Sequence, residues 1–63
     1  MANKLKQFRV SINETQEEMA EKWNISLSFL KKIEGGEKNP SIKTIKDFKK
    51  IYPTADISEI FLT

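Results

Sequence analysis

Thr15-Gln16-Glu17-Glu18-Met19-Ala20-Glu21-Lys22-Trp23-Asn24-Ile25-Ser26-Leu27-Ser28-Phe29-Leu30-Lys31-Lys32-Ile33-Glu34 decides the fold. The stretch reads as two short helices joined by a tight turn. Thr15 is a good helix N-cap, and Glu18 three residues later completes a Thr-x-x-Glu capping box. Met19, Ala20 and Trp23 fall on one face of the first helix. Ala20 is small where two helices must approach closely. Asn24 stands where the chain must turn with positive φ, which Asn tolerates better than most residues. Ser26 caps the second helix. Ile25 and Phe29, Leu30 and Ile33 supply its buried face, and Gly35-Gly36 stops it.

Working outward, three further helices are expected and no strands. Residues 3 to 10 form the first, with Leu5 and Phe8 at i, i+3 and Ile12 one turn on. Residues 11 to 14 make a loop, with Asn13 as its left-handed position. Residues 37 to 40 are a polar loop ending at Pro40. Ser41 caps a fourth helix in which Ile42, Ile45, Phe48 and Ile51 are read as one inward face, with Lys43, Lys46, Lys49 and Lys50 outside. Pro53 stops it. A last short helix follows Asp56, where Asp56-x-x-Glu59 suggests a second capping box. Trp23, Phe8, Phe29 and Phe48 are read as core, since aromatics at helical spacing pack inward.

Size and composition narrow the function. The 63 residues suffice for one domain, residues 1 to 63, near the lower limit for a lone hydrophobic core. No linker or repeat divides it. With no cysteine and no histidine there is no disulfide, no zinc finger and no ordinary general base. Packing alone must hold the fold, which suits a reducing cytoplasm. No apolar run nears the roughly 20 residues of a membrane span. No nucleophile–base set, metal cluster or phosphate loop points to an enzyme, a cofactor or a small-molecule ligand.

Net charge is +2 and the pI is near 9.0. The distribution says more than the total. Residues 14 to 21 carry Glu14, Glu17, Glu18 and Glu21 and no base. Residues 31 to 50 carry Lys31, Lys32, Lys38, Lys43, Lys46, Lys49 and Lys50 against Glu34, Glu37 and Asp47. Such asymmetry fits a one-sided footprint for phosphate, and it fits a solvated lysine-rich face as well.

The pattern resembles the lambda-repressor-like helix-turn-helix family of phage Cro and CI repressors and related XRE-type regulators. The resemblance rests on Thr15 to Lys22, Ile25-Ser26, Lys32-Ile33-Glu34-x-Gly36, Asn39-Pro40-Ser41 and Asp56-Ile57-Ser58-Glu59-Ile60-Phe61, in order and at the family's spacing. It covers about residues 4 to 62. It implies an all-α fold, a compact bundle of five helices. The second helix lies across the DNA backbone and the third enters the major groove.

By position, the resemblance puts Gln16 at the start of the second helix, bonding a phosphate and bracing the third. Leu27, Ser28, Lys31 and Lys32 become the exposed face of the reading helix. Amides near Gly35 and Gly36, with Lys38, Asn39 and Ser41, become phosphate contacts, and a helix N-terminus suits an anion. Arg9 and Glu34 sit at positions that meet as a partly buried ion pair, from which Arg9 can also reach a phosphate. Leu27 stands where relatives carry a long polar residue. It can press on a thymine methyl, or pack on Trp23 or on a partner protein. Glu14 replaces the usual apolar residue ahead of the cap, so the entry to the second helix is expected to be looser, or filled by Ile12. Of Ile57, Ile60, Phe61 and Leu62, part closes the core and the remainder forms the patch of a homodimer, as in relatives; the alternative is that all four pack within the chain.

The function implied is a sequence-specific regulator of transcription that binds an operator in double-stranded DNA, a repressor of prophage, plasmid or toxin–antitoxin type. A module of the same fold that holds another protein, such as an anti-repressor or antitoxin, is the alternative. Steep weakening of binding with salt separates the first from the second.

Overall fold

The computed structural model describes residues 3–61, and Leu62 lies outside them. Five helices follow in order: α1 (Asn3–Ser11), α2 (Gln16–Trp23), α3 (Leu27–Glu34), α4 (Ile42–Ile51) and α5 (Ile57–Phe61). Among the described residues there is no strand. α2 packs on α3 and α4, and α1 packs on α3 and α5. The expected all-α, five-helix architecture is the one found.

The starts of α2, α3, α4 and α5 are each set by a capping side chain. Thr15 Oγ1 accepts from the Glu18 amide at 3.1 Å, and the Glu18 carboxylate accepts from the Thr15 amide at 2.8 Å. Ser26 and Ser41 accept from the amides of Phe29 and Thr44 at 3.0 and 3.2 Å. Asp56 accepts from the Glu59 amide at 3.1 Å. These bonds satisfy amides that the helices cannot pair themselves.

The ends of α1, α2 and α3 share one device. Asn13, Asn24 and Gly36 have φ of 62°, 62° and 83°. Around each, two bonds cross the last turn. Glu14 and Asn13 amides donate to the Arg9 and Val10 carbonyls at 3.2 and 2.9 Å. Ile25 and Asn24 amides donate to Ala20 and Glu21 at 3.0 and 3.2 Å. Glu37 and Gly36 amides donate to Lys32 and Ile33 at 2.9 and 3.1 Å. This is the Schellman pattern, in which a left-handed residue folds the chain back on its helix. Of the two adjacent glycines only Gly36 needs the left-handed region. Gly35 has a helical φ of −81°.

Phe48 is fully buried at the centre of the core. Its ring meets Trp23 at 4.7 Å, Tyr52 at 4.8 Å, Phe61 at 5.3 Å and Phe8 at 5.8 Å between centroids. Leu5, Met19, Ala20, Leu30 and Ile33 are buried around it. Phe8, Ile12, Ile25, Phe29, Ile57, Ile60 and Phe61 pack against this cluster, partly buried. The Trp23 indole donates to the Thr44 carbonyl at 2.9 Å and so fixes α4 on α2.

The α4 stripe needs correction. Ile42 is 67% exposed and Ile51 36%, whereas Ile45 is half-buried and Phe48 buried. The reason is phase. At about 100° per residue, positions nine apart lie about 180° apart around a helix. Ile42 and Ile51 therefore fall at opposite margins of the stripe. Tyr52, one turn after Phe48, takes the interior place with Ala55.

A left-handed backbone costs a β-branched residue more than Asn, and Gly nothing. Asn24→Val is therefore expected to lose about 1–2 kcal/mol of stability, and Asn24→Gly to lie close to the parent. Urea unfolding followed by Trp23 fluorescence measures both.

Candidate nucleic-acid interface

The surface that the sequence points to is the outward side of α3, and its inward side explains how it is held. Leu30, Ile33 and Glu34 are buried. Glu34, only 5% exposed, is met by three donors. Arg9 Nε donates to its Oε2 at 2.8 Å and Arg9 Nη2 to its Oε1 at 3.4 Å. Gln16 Nε2 donates to Oε1 at 3.0 Å. The remaining Arg9 nitrogen, Nη1, donates to the Glu14 carbonyl at 2.8 Å. One guanidinium thus ties α1 and the α1–α2 loop to α3, and Gln16 adds α2. Among the described residues no buried side-chain polar atom lacks a partner.

This geometry sorts the roles considered for Arg9 and Gln16. Arg9 is 9% exposed and all three of its nitrogens donate inside the protein. Three of its five N–H groups are used in this way, and they tie α1 to α3. The Gln16 side chain braces α3 through Glu34, which leaves its backbone amide at the start of α2 for an outside acceptor.

On the other side, Leu27, Ser28, Lys31 and Lys32 line one open concavity. Ser28, Lys31 and Lys32 are exposed, and Leu27 is half-buried. No ion pair engages either lysine. A fifth residue, Glu37, lines the same concavity. In the sequence Glu37 stands out only as an acid among the lysines. Its position two residues beyond the stop of α3 was the available signal.

Lys38, Asn39 and Ser41 are exposed along the loop into α4. The amides of Gly35 and Gly36 do not serve as a phosphate cradle. Gly35 donates to the Lys31 carbonyl at 2.9 Å and Gly36 to Ile33 at 3.1 Å. The Glu37 and Lys38 amides both donate to Lys32, at 2.9 and 3.3 Å. The helix ending that shapes this turn consumes its donors. Backbone donors recur at the start of α4, where the amides of Ile42 and Lys43 precede the first turn of the helical ladder.

Glu14 also departs from expectation. The entry to α2 is braced by polar contacts rather than loosened. The Tyr52 hydroxyl donates to Glu14 Oε1 at 2.7 Å, and the Lys22 ammonium bonds Oε2. Ile12 packs on the core alongside. Burial alone would raise the Glu14 pKa, but bonds from Lys22 and Tyr52 and the Lys22 charge outweigh it and hold the carboxyl below its ordinary value. The Tyr52 hydroxyl is pushed up by burial and by the carboxylate it faces, so it stays a donor.

With this geometry in view, the comparisons are direct. The helix-turn-helix family model matches residues 5–55. The chain belongs to the helix-turn-helix family, in its lambda-repressor-like form. It is also similar to a protein of Archaeoglobus fulgidus named as an uncharacterized HTH-type transcriptional regulator. The two are 32% identical over 62 residues, which span 98% of this chain and 86% of the relative. No solved structure matches the chain. No helix among the described residues is long and apolar enough to cross a membrane.

Two outcomes follow from the helix-turn-helix geometry. Arg9→Ala leaves Glu34 buried without its cation and is expected to cost about 3–5 kcal/mol, read from chemical unfolding. An unchanged melting temperature would refute the pair's role. For Glu14 the pKa is lower folded than unfolded, so its contribution is present above the ordinary carboxylate pKa and fades as pH falls through the folded value. Tyr52→Phe is therefore expected to cost about 1.5–3 kcal/mol at pH 7. That deficit should shrink in the same urea titration as the pH is lowered through the folded value of Glu14, where the parent loses the charged acceptor.

Proposed function

We propose that this chain is a DNA-binding transcriptional regulator with a non-enzymatic role, and that it represses by occupying an operator in double-stranded DNA. The observation that carries the reading is the division of α3. One side is locked by Arg9, Gln16 and Glu34. The other offers Leu27, Ser28, Lys31 and Lys32, with both lysines unpaired. A helix held this firmly and displaying short polar, apolar and cationic groups suits the major groove, where bases are read by edge contacts. In this reading Leu27 presses on a thymine methyl and Ser28 bonds a base edge. Lys32 takes guanine acceptors and Lys31 a phosphate. Lys38, Asn39, Ser41 and the first amides of α4 hold the flanking backbone. The family membership and the name of the archaeal relative support the regulatory role. The proposal extends to a prophage, plasmid or toxin–antitoxin setting.

Leu27 and Ser28 offer few discriminating hydrogen bonds, so a single α3 reads little sequence. A two-fold dimer on DNA supplies the remainder by setting two α3 helices about 34 Å apart. Its surface would be the exposed edges of Ile57, Ile60 and Phe61, which are only partly buried in the core. Sedimentation with and without duplex tests this, and a monomer in both states refutes it.

Fluorescence anisotropy against duplexes selected from a randomised pool, across a salt series, tests the main reading. Affinity should fall steeply with salt. Lys31→Ala is expected to lower the logarithmic salt slope by about 1 on every sequence. Lys32→Ala should cost about 1–3 kcal/mol on the selected site and relax its sequence. Binding that neither selects a sequence nor responds to salt would overturn the reading and favour a protein partner.

A further inference from the structure

Glu37 is an acid on a surface otherwise suited to an anion. It follows Gly36, whose φ of 83° turns the chain across the end of α3. Its amide donates to the Lys32 carbonyl at 2.9 Å, and the next amide, from Lys38, donates to the same oxygen at 3.3 Å. Its backbone is therefore pinned to the last turn of the reading helix rather than carried on a free loop. Glu37 lines the concavity that Leu27, Ser28, Lys31 and Lys32 also line. Glu37 is exposed, and no hydrogen bond or ion pair engages its carboxylate. The two lysines do not neutralise it within the protein.

A carboxylate only accepts hydrogen bonds. Facing a duplex it is repelled by phosphates and by the acceptor edges of guanine and thymine. Two major-groove groups can donate to it, the amino groups of cytosine and of adenine. Adenine places the N7 acceptor beside its amino group, where a carboxylate has nothing to give. Cytosine presents its amino group with no neighbouring acceptor on that base. Lys32, on the same surface, can serve the O6 and N7 of guanine. A carboxylate and an ammonium on one surface match the two halves of a C·G pair.

We propose that Glu37 is a specificity-determining residue, which accepts from the N4 amino group of one operator cytosine in the major groove beside Lys32. It selects by rejection as well as attraction, because every other base leaves the charge facing an acceptor. The proposal rests on the operator-binding reading and adds to it the base that one position must carry.

The test is selection from a randomised duplex pool with the parent, Glu37→Gln and Glu37→Ala, followed by anisotropy on the selected duplex and its single-base variants. Circular dichroism checks that these exposed substitutions leave the fold intact. The parent should enrich cytosine at one position of each half-site, and replacing that base should weaken binding roughly tenfold. Glutamine offers a donor and an acceptor that match adenine N7 and N6, so Glu37→Gln should move the preference at that position from cytosine to adenine. Glu37→Ala should become indifferent there and keep the rest of the motif. If both variants keep the parent's motif while binding every duplex more tightly by one common factor, Glu37 only repels phosphate and the proposal fails alone. If the parent itself selects no sequence, the operator reading fails, and this proposal with it.

Discussion

The buried pair of Arg9 and Glu34 is the constraint on which the rest of the molecule depends. A carboxylate taken from water is costly unless its oxygens are bonded. Here Arg9 and Gln16 meet both oxygens. The arrangement does more than neutralise a charge. Arg9 belongs to α1, Gln16 begins α2 and Glu34 ends α3, so three helix axes are referred to one carboxylate. Leu30 and Ile33 could pack with α3 slightly rotated, because apolar contacts tolerate small slides. The planar guanidinium and its directed bonds resist such a rotation. The exposed side of α3 inherits that definition without having to supply it.

Local chemistry was the part most legible in the sequence. Thr15 with Glu18, Ser26 and Ser41 announce helix starts because each acts on an amide two or three residues away. Asn13 and Asn24 announce helix ends because the left-handed region admits few residue types. The inner faces of α2 and α3 were legible for the same reason, since eight residues are too few for the periodicity to drift. Over the ten residues of α4 it does drift, and Ile42 and Ile51 left the stripe while Tyr52 entered it. The Glu14 bracket was not legible at all. Glu14 and Tyr52 are 38 positions apart, and no local rule joins them. The Glu34 pairing, 25 positions from Arg9, came into view through family resemblance and not through spacing.

The binding surface shows the same limit. Residues on the exposed turn of α3 came into view through the family resemblance. The availability of amides after α3 did not, because it depends on which carbonyls the chain folds back upon. The Gly36 turn uses those donors internally, and in doing so pins Glu37 beside Lys32. A turn that the family resemblance suggests as an anion cradle is, in the fold, a mount for an acidic residue.

The three left-handed stops at Asn13, Asn24 and Gly36 have a consequence for time as well as shape. Each of these three helices carries its own ending within its last turn, so where it stops is set by contacts local in sequence. Helices of eight or nine residues are marginal alone, so packing around Phe48 must hold them in shape. Helical bundles dominated by local contacts fold in microseconds to milliseconds. A ribosome adds about 5–20 residues each second, so this chain needs seconds to be made and far less to become itself. Its working concentration then tracks its synthesis with no lag from folding.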